Sequence, residues 1–210
     1  MQPIAPYTWS VDVAGERIAL PVFEAGEDRA IALLMVIDRG LHFVERTGRA
    51  LAEAFRPLAP EIVVGSATLG IPVAMEVSRA LGLDQYVILQ KSPKFHLSDA
   101  LVEEVQSLTS RGRQRLLLDR QAIERLQGRR VVVVDDVIAT GSSMAAAMRL
   151  VRRAGGDIRG IGSILTEGGL WRAALGRDGA LLHRLGHIPQ FRVTAAGAVP
   201  LPDTALEEAG

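Results

Sequence analysis

The segment VVVVDDVIATGSS, residues 131–143, joins an apolar strand, two adjacent carboxylates and a turn of small residues in one run. Four consecutive valines are β-branched on both faces of a strand. Both faces must therefore be covered, which suits a parallel strand packed between helices. Asp135 and Asp136 then stand at the carboxyl end of that strand, where the ligand crevice of an open α/β sheet lies. There the two acids can accept hydrogen bonds from sugar hydroxyls. Ala139, Thr140, Gly141, Ser142 and Ser143 lead into MAAAMRLVRRAG, whose alanines and leucine favour a helix. The first turn of a helix leaves N–H groups unpaired and carries partial positive charge, while small side chains let a phosphate approach. The segment thus predicts a site for a phosphorylated sugar. The lysine-bearing P-loop and the glycine-rich dinucleotide pattern are both absent from the chain, which disfavours nucleoside triphosphate hydrolysis and nicotinamide binding.

Composition narrows the class further. With 210 residues, 48% of them hydrophobic, the chain can bury one sizeable core with a small appended subdomain. Formal net charge is zero and no basic block stands out, so nucleic acid is not the expected partner. There is no cysteine, which removes disulfides, thiolate catalysis and cysteine zinc sites. Residues 1–10 lack the basic start and apolar core of a signal peptide, and the longest apolar run, residues 30–37, is too short to span a bilayer. A soluble, cytoplasmic protein without a membrane partner is expected. The tail, residues 198–210, is expected to fray outside the core.

Residues 7–13 and 17–23 read as two strands joined by a turn at Ala14, Gly15 and Glu16. Residues 30–37 read as a further strand, and residues 41–55 have helical apolar spacing that stops before Pro57. From there strands at 61–64, 86–90, 131–134 and 158–165 alternate with helices near 70–82, 99–107 and 142–154. Such alternation predicts a parallel α/β core.

The run at 131–143 resembles the signature of the type I phosphoribosyltransferases, which bind 5-phosphoribosyl 1-pyrophosphate (PRPP). Each part of that signature is present: apolar strand, acidic pair, two apolar residues, then a small T-G-x-S turn. The resemblance extends over about residues 61–166 and implies one domain. Its parallel-sheet core, flanked by helices, would occupy about 42–170, with a small hood from 1–40 and 171–197. By this resemblance Asp135 and Asp136 hold the ribose hydroxyls or metal-bound waters, and Ala139, Thr140, Gly141, Ser142 and Ser143 take the 5'-phosphate. Ser66, Ala67 and Thr68, between a strand and a helix, match the family's pyrophosphate loop, although such a turn also occurs as a simple connection. Lys91 is the choice for neutralising pyrophosphate, with Lys94 either a second contact or an ordinary solvated lysine.

Residues 95–113 correspond to the family's mobile loop, which excludes water from a cation-like ribosyl centre. Adenine phosphoribosyltransferases carry a glutamate in a Y-x-x-E-Y-G stretch of that loop. Here the matching residues are Ser107, Leu108, Thr109, Ser110, Arg111 and Gly112, so Ser110 takes the glutamate's place. Val105 to Thr109, V-Q-S-L-T, is closer to the V-H-S-F-T of bacterial xanthine enzymes. Glu103 and Glu104 are candidate replacement bases, or else the solvated face of a short amphipathic helix. Ala139 stands where hypoxanthine-guanine enzymes place an aspartate, which disfavours that class. The segment 181–191 is expected to return to the N-terminal strands and complete the hood, so that Val137, Ile188 and Phe191 contact the base. His183 and His187 are four apart, but Gly186 and Pro189 spoil a helical metal site.

The resemblance implies transfer of a phosphoribosyl group from PRPP to a purine base, with adenine ahead of xanthine or another purine. Mg²⁺ is expected as the cofactor, held through substrate and Asp135 or Asp136, and a homodimer as the assembly. Some PRPP-binding transcription regulators share the signature without catalysis, but they carry an added DNA-binding module, and no basic helix-turn-helix pattern is read in this N-terminal region.

Overall fold

The computed structural model describes residues 3–26, 28–92, 100–105, 114–195 and 197–205, with side chains described from residue 7 onward. The chain opens with β1 (Pro3–Val13) and β2 (Glu16–Gly26), an antiparallel pair turned at Ala14 and Gly15, both at positive φ. Next come β3 (Arg29–Ala32) and helix α1 (Leu41–Phe55). Strand and helix then alternate through β4 (Ile62–Ser66), α2 (Gly70–Leu81) and β5 (Tyr86–Leu89). A hairpin follows, β6 (Leu101–Val105) and β7 (Gln114–Leu118), and then α3 (Arg120–Leu126). The signature spans β8 (Arg130–Ile138) and α4 (Ser142–Arg153). After it come β9 (Asp157–Glu167), α5 (Leu170–Leu175), β10 (Leu182–Ile188), β11 (Phe191–Thr194) and β12 (Gly197–Pro200).

The central sheet has the order β10-β9-β8-β4-β5 and every pairing in it is parallel. The four valines explain its two cores. Val132 and Val134 pack with α1, α2 and the N-terminal strands, whereas Val131 and Val133 pack with α3, α4 and the β6–β7 hairpin. All four are fully buried, as a strand covered on both faces requires. A second, antiparallel sheet of order β1-β2-β3-β11-β12 forms the hood. The expected α/β architecture with a hood is thus what the chain adopts.

Several expectations are corrected. Residues 101–105 are a strand, with half-buried and exposed residues alternating from Leu101 to Glu104, rather than part of a helix over 99–107. Two adjacent glutamates read as a helix face, but cross-strand pairing with β7 and two arginines from α4 decide otherwise. The strand read over residues 30–37 ends at Ala32, and a 3₁₀ turn occupies Val36–Arg39. Residues 182–188 join the central sheet as its edge strand beside β9, not the hood. The tail does not fray from residue 198. Gly197–Pro200 pairs with β11, Ala198 is buried, and Thr204 bonds to the ends of β10 and β11. Among the described residues no helix is long and apolar enough to cross a membrane.

Candidate active site

Sheet order fixes where a ligand can sit. From β4 the chain moves outward to β5 on one side, and from β8 it moves to β9 and β10 on the other. The order therefore reverses between β4 and β8, and the crevice of an open α/β sheet opens at the carboxyl ends of such neighbours. The turns that follow β4 and β8 are Ser66, Ala67, Thr68 and Ala139, Thr140, Gly141. A cavity of about 770 Å³ at the opposite, amino end of β4 includes Glu61, which is already engaged by Arg129 and Arg130.

β8 runs through Asp135 and Asp136 to Ile138, farther than the valines alone indicate, so both acids are held on the strand. The Asp136 N–H donates to Asp135 Oδ1 at 3.1 Å. Burial and the neighbouring charge of Asp136 push Asp135 well above the usual carboxylate range; burial also raises Asp136. Lys91 acts in the opposite direction on both acids. It follows the end of β5, where Gln90 and Leu117 exchange two backbone hydrogen bonds of 2.9 and 2.8 Å and so anchor the β6–β7 hairpin. The 66–68 turn lies between these groups. The Ala67 N–H donates to the Leu89 carbonyl at 2.8 Å, a cis peptide joins Ala67 to Thr68, and an added Cβ on Gly70 would lie 2.6 Å from Asp135 Oδ1. The structure therefore brings Ser66, Ala67, Thr68, Lys91, Asp135 and Asp136 to one end of the sheet.

The turn from Ala139 closes on Gly141, whose φ of 78° is the left-handed conformation glycine adopts freely. A Cβ there would also stand 2.9 Å from Trp171 Cα and 3.0 Å from Ala174 Cβ, so backbone and α5 both select glycine. The Thr140 and Ser142 hydroxyls lie 2.8 Å apart, the Ser142 N–H reaches Thr140 Oγ1 at 3.4 Å, and Ser143 follows in the first turn of α4. The first turn of a helix is where backbone N–H groups can meet an anion.

Other expected site residues lie elsewhere. Glu103 is bound by Arg149 at 3.0 Å and Arg153 at 2.8 Å on the last turns of α4, and these hydrogen bonds hold its carboxyl below the usual range. A carboxylate so engaged is a structural anchor and a poor proton acceptor. Glu104 is exposed on the same strand, and its carbonyl accepts from Arg149. Val137 is half-buried against the hood-side core, while Ile188 and Phe191 are fully buried there. The Phe191 ring packs edge-on against Tyr7 and Trp9. Neither Ile188 nor Phe191 offers a side chain to a base, which corrects that expectation. Lys94 and the stretch 106–113, with Ser110, lie outside the described residues.

A cavity of about 1180 Å³ opens beside Ala139 and Thr140. Its sheet wall holds Ala139, Thr140, Glu167, Leu170 and Gln190; Arg29, Ile31 and Arg192 line the hood side. Burial alone pushes the Glu167 carboxyl up to about 7. Sequence reasoning missed both Glu167 and Gln190. Glu167 ends an apolar strand as Asp136 does, which was the available signal, whereas nothing local marks Gln190.

Residues 37–168 match the family model of the phosphoribosyl transferase domain. The chain belongs to that family. An adenine phosphoribosyltransferase of Corynebacterium efficiens is 36% identical over 140 residues, 67% of this chain and 66% of that protein. An orotate phosphoribosyltransferase of Caldanaerobacter subterraneus is 31% identical over 59% of this chain and 54% of its own length. A xanthine phosphoribosyltransferase of Geobacillus thermodenitrificans is 27% identical over 60% and 64%. The chain thus spans less than two thirds of the length of these curated relatives. Among solved structures, the adenine phosphoribosyltransferase of Thermoanaerobacter pseudethanolicus shares the fold, with a TM-score of 0.68 at 22% identity over 80% of this chain and 95% of that one. That of Rhodothermus marinus gives 0.62 at 26% over 75% and 87%.

Proposed function

We propose that this protein transfers the 5-phosphoribosyl group of PRPP to a purine base, adenine foremost, with release of pyrophosphate. The observation that carries this reading is the convergence of an acidic pair, a phosphate turn and a lysine at the sheet's reversal point, beside a cavity that can admit a base. The adenine relative at 36% identity supports adenine, and Ala139 in place of an aspartate disfavours a hypoxanthine or guanine acceptor. Residues 105–109 and the xanthine relative support xanthine as the second acceptor.

In this reading the 139–143 turn holds the 5'-phosphate through backbone N–H groups and the Thr140 and Ser142 hydroxyls. Asp135 and Asp136 accept bonds from the ribose hydroxyls, and the 66–68 turn with Lys91 receives the departing pyrophosphate. The base nitrogen attacks the anomeric carbon as the bond to pyrophosphate breaks, and binding at the remote phosphate holds that carbon in line. The acids fit a metal-laden substrate, since both are buried with Lys91 as the cation that lowers them. No cluster of three or more His, Cys, Asp or Glu side chains occurs among the described residues. Asp135 and Asp136 would therefore hold a Mg²⁺ ion whose other ligands come from substrate and water. When bound it would neutralise charge on the pyrophosphate.

The test is nucleotide formation from PRPP and Mg²⁺ with adenine, xanthine, guanine, hypoxanthine and orotate in separate reactions. Adenosine monophosphate is the expected product, and Asp136→Asn is expected to lower turnover about a hundredfold or more. No product with any base, or a folded Asp136→Asn protein with wild-type turnover, would overturn the reading.

A further inference from the structure

The two walls of the 1180 Å³ cavity differ in kind. On the hood side Arg29 and Arg192, cross-strand partners of β3 and β11, are exposed, with exposed Asp28 beside them, while Ala30 is buried. On the other side Glu167 and Gln190 are half-buried, next to exposed Leu170. Charges on an exposed wall are screened by water and salt and discriminate weakly. A polar group in a desolvated wall costs about 1–3 kcal/mol when left unpaired. Half-buried Glu167 and Gln190 therefore discriminate more sharply than the exposed arginines.

Gln190 is placed to present its amide. Its backbone N–H donates to Thr204 Oγ1 at 2.9 Å, and its carbonyl accepts from the Leu201 N–H at 2.8 Å. Thr204 is held in turn: its hydroxyl donates to the Leu201 carbonyl at 2.7 Å, and its carbonyl lies 2.8 Å from His187 Nε2. His187 Nδ1 is 2.8 Å from the buried Thr166 hydroxyl, which ties the whole turn to β9. The Gln190 stem lies over Gly168, where an added Cβ would stand 3.0 Å from its Cγ and 3.1 Å from its Cδ. Any other residue at 168 would occupy that space. The Gln190 backbone is satisfied, while its side-chain amide lines the cavity without a hydrogen bond among the described residues. Glu167, next to Gly168, likewise lines it without a hydrogen bond or ion pair.

We propose that Gln190 and Glu167 read the hydrogen-bonding edge of a neutral purine, selecting a base that sets a donor beside an acceptor, adenine foremost, over anionic acceptors such as orotate. The choice of ligand rests on the transferase reading. A side-chain amide offers one donor beside one acceptor, the complement of the adenine amino group and its adjacent ring nitrogen. A protonated carboxyl offers the same pattern, and with Glu167 at about 7 that form is well populated at neutral pH. An ionised Glu167 still accepts from an amino group and repels an anionic base.

The experiment compares Gln190→Ala with the wild-type full chain at saturating PRPP. The expected result is a 10- to 100-fold loss in kcat/KM for adenine, with the KM for PRPP within twofold and an unchanged melting temperature, because the backbone ties to Thr204 and Leu201 remain. Unchanged adenine kcat/KM in Gln190→Ala, a matching rise in the PRPP KM, or wild-type preference for orotate overturns the proposal. Should the wild type form no nucleotide with any base, the transferase reading fails on its own. Calorimetric titration of adenine then decides the base site: binding by wild type that is lost in Gln190→Ala supports it, and equal binding in both, or none in either, overturns it.

Discussion

Two neighbouring parts of this molecule are built in opposite ways. The proposed phosphate end of the site, from Asp135 to Ser143, is one unbroken stretch in which strand, acids, turn and helix start follow in sequence. The proposed base side is assembled from segments far apart in the chain. Arg29 comes from β3, Thr140 from the phosphate turn, Glu167 from the end of β9 and Gln190 from the approach to β11. A contiguous site depends on local backbone geometry. An assembled site depends on sheet order and on the ties that hold the hood against the core, here the Thr166–His187–Thr204 chain of hydrogen bonds. Substitutions at the first should affect the donor with every base, whereas those at the second should affect the base alone.

The largest effect separating the two is expected from Gly141→Ala. A side chain at φ 78° costs about 1–3 kcal/mol, and its Cβ would stand 2.9 Å from the Trp171 backbone. The variant should lose at least tenfold in PRPP affinity whichever base is supplied, as measured by steady-state KM. Loss with one base only would break the distinction.

A second effect, on stability, is expected from Glu167→Gln. The Glu167 carboxyl is raised from 4.5 to about 7 in the folded chain, so the native state holds its proton to higher pH than the unfolded chain. The stability this contributes is fully present below about pH 4.5 and is lost as pH rises through about 7, by up to about 3 kcal/mol. Asp135 and Asp136 are raised too and add a fall of the same sign. Glu167→Gln should therefore melt higher than wild type at pH 8, with the gap closing toward pH 4.5 in thermal scans. A gap independent of pH would contradict the burial of that carboxyl.

The same contrast accounts for what was legible in the sequence. Residues 41–55 show helical spacing because Phe43, Val44, Leu51, Ala52 and Phe55 pack on one side, and α1 has those bounds. The valines of β8 told of two covered faces because each face has its own core. Ser66 to Thr68 and Lys91 were legible as strand-end residues, since strand ends set their place. Glu103 and Glu104 were misread because their conformation is fixed by β7 and by Arg149 and Arg153, which are distant in sequence. Ile188 and Phe191 were assigned to the base because residues 181–191 were expected to complete the hood, yet they fill the core between the two sheets. Gln190 between them lines the cavity, held by backbone ties to Thr204 and Leu201 that are distant in sequence.

The most direct test of the central claim is calorimetric titration of PRPP with Mg²⁺ into the wild-type protein at neutral pH. Saturable binding of one PRPP per chain, displaced by ribose 5-phosphate and weakened in Gly141→Ala, is the expected result. An absence of saturable binding, or binding that Gly141→Ala leaves untouched, would contradict the assignment of residues 135–143 as the site for a phosphorylated ribose.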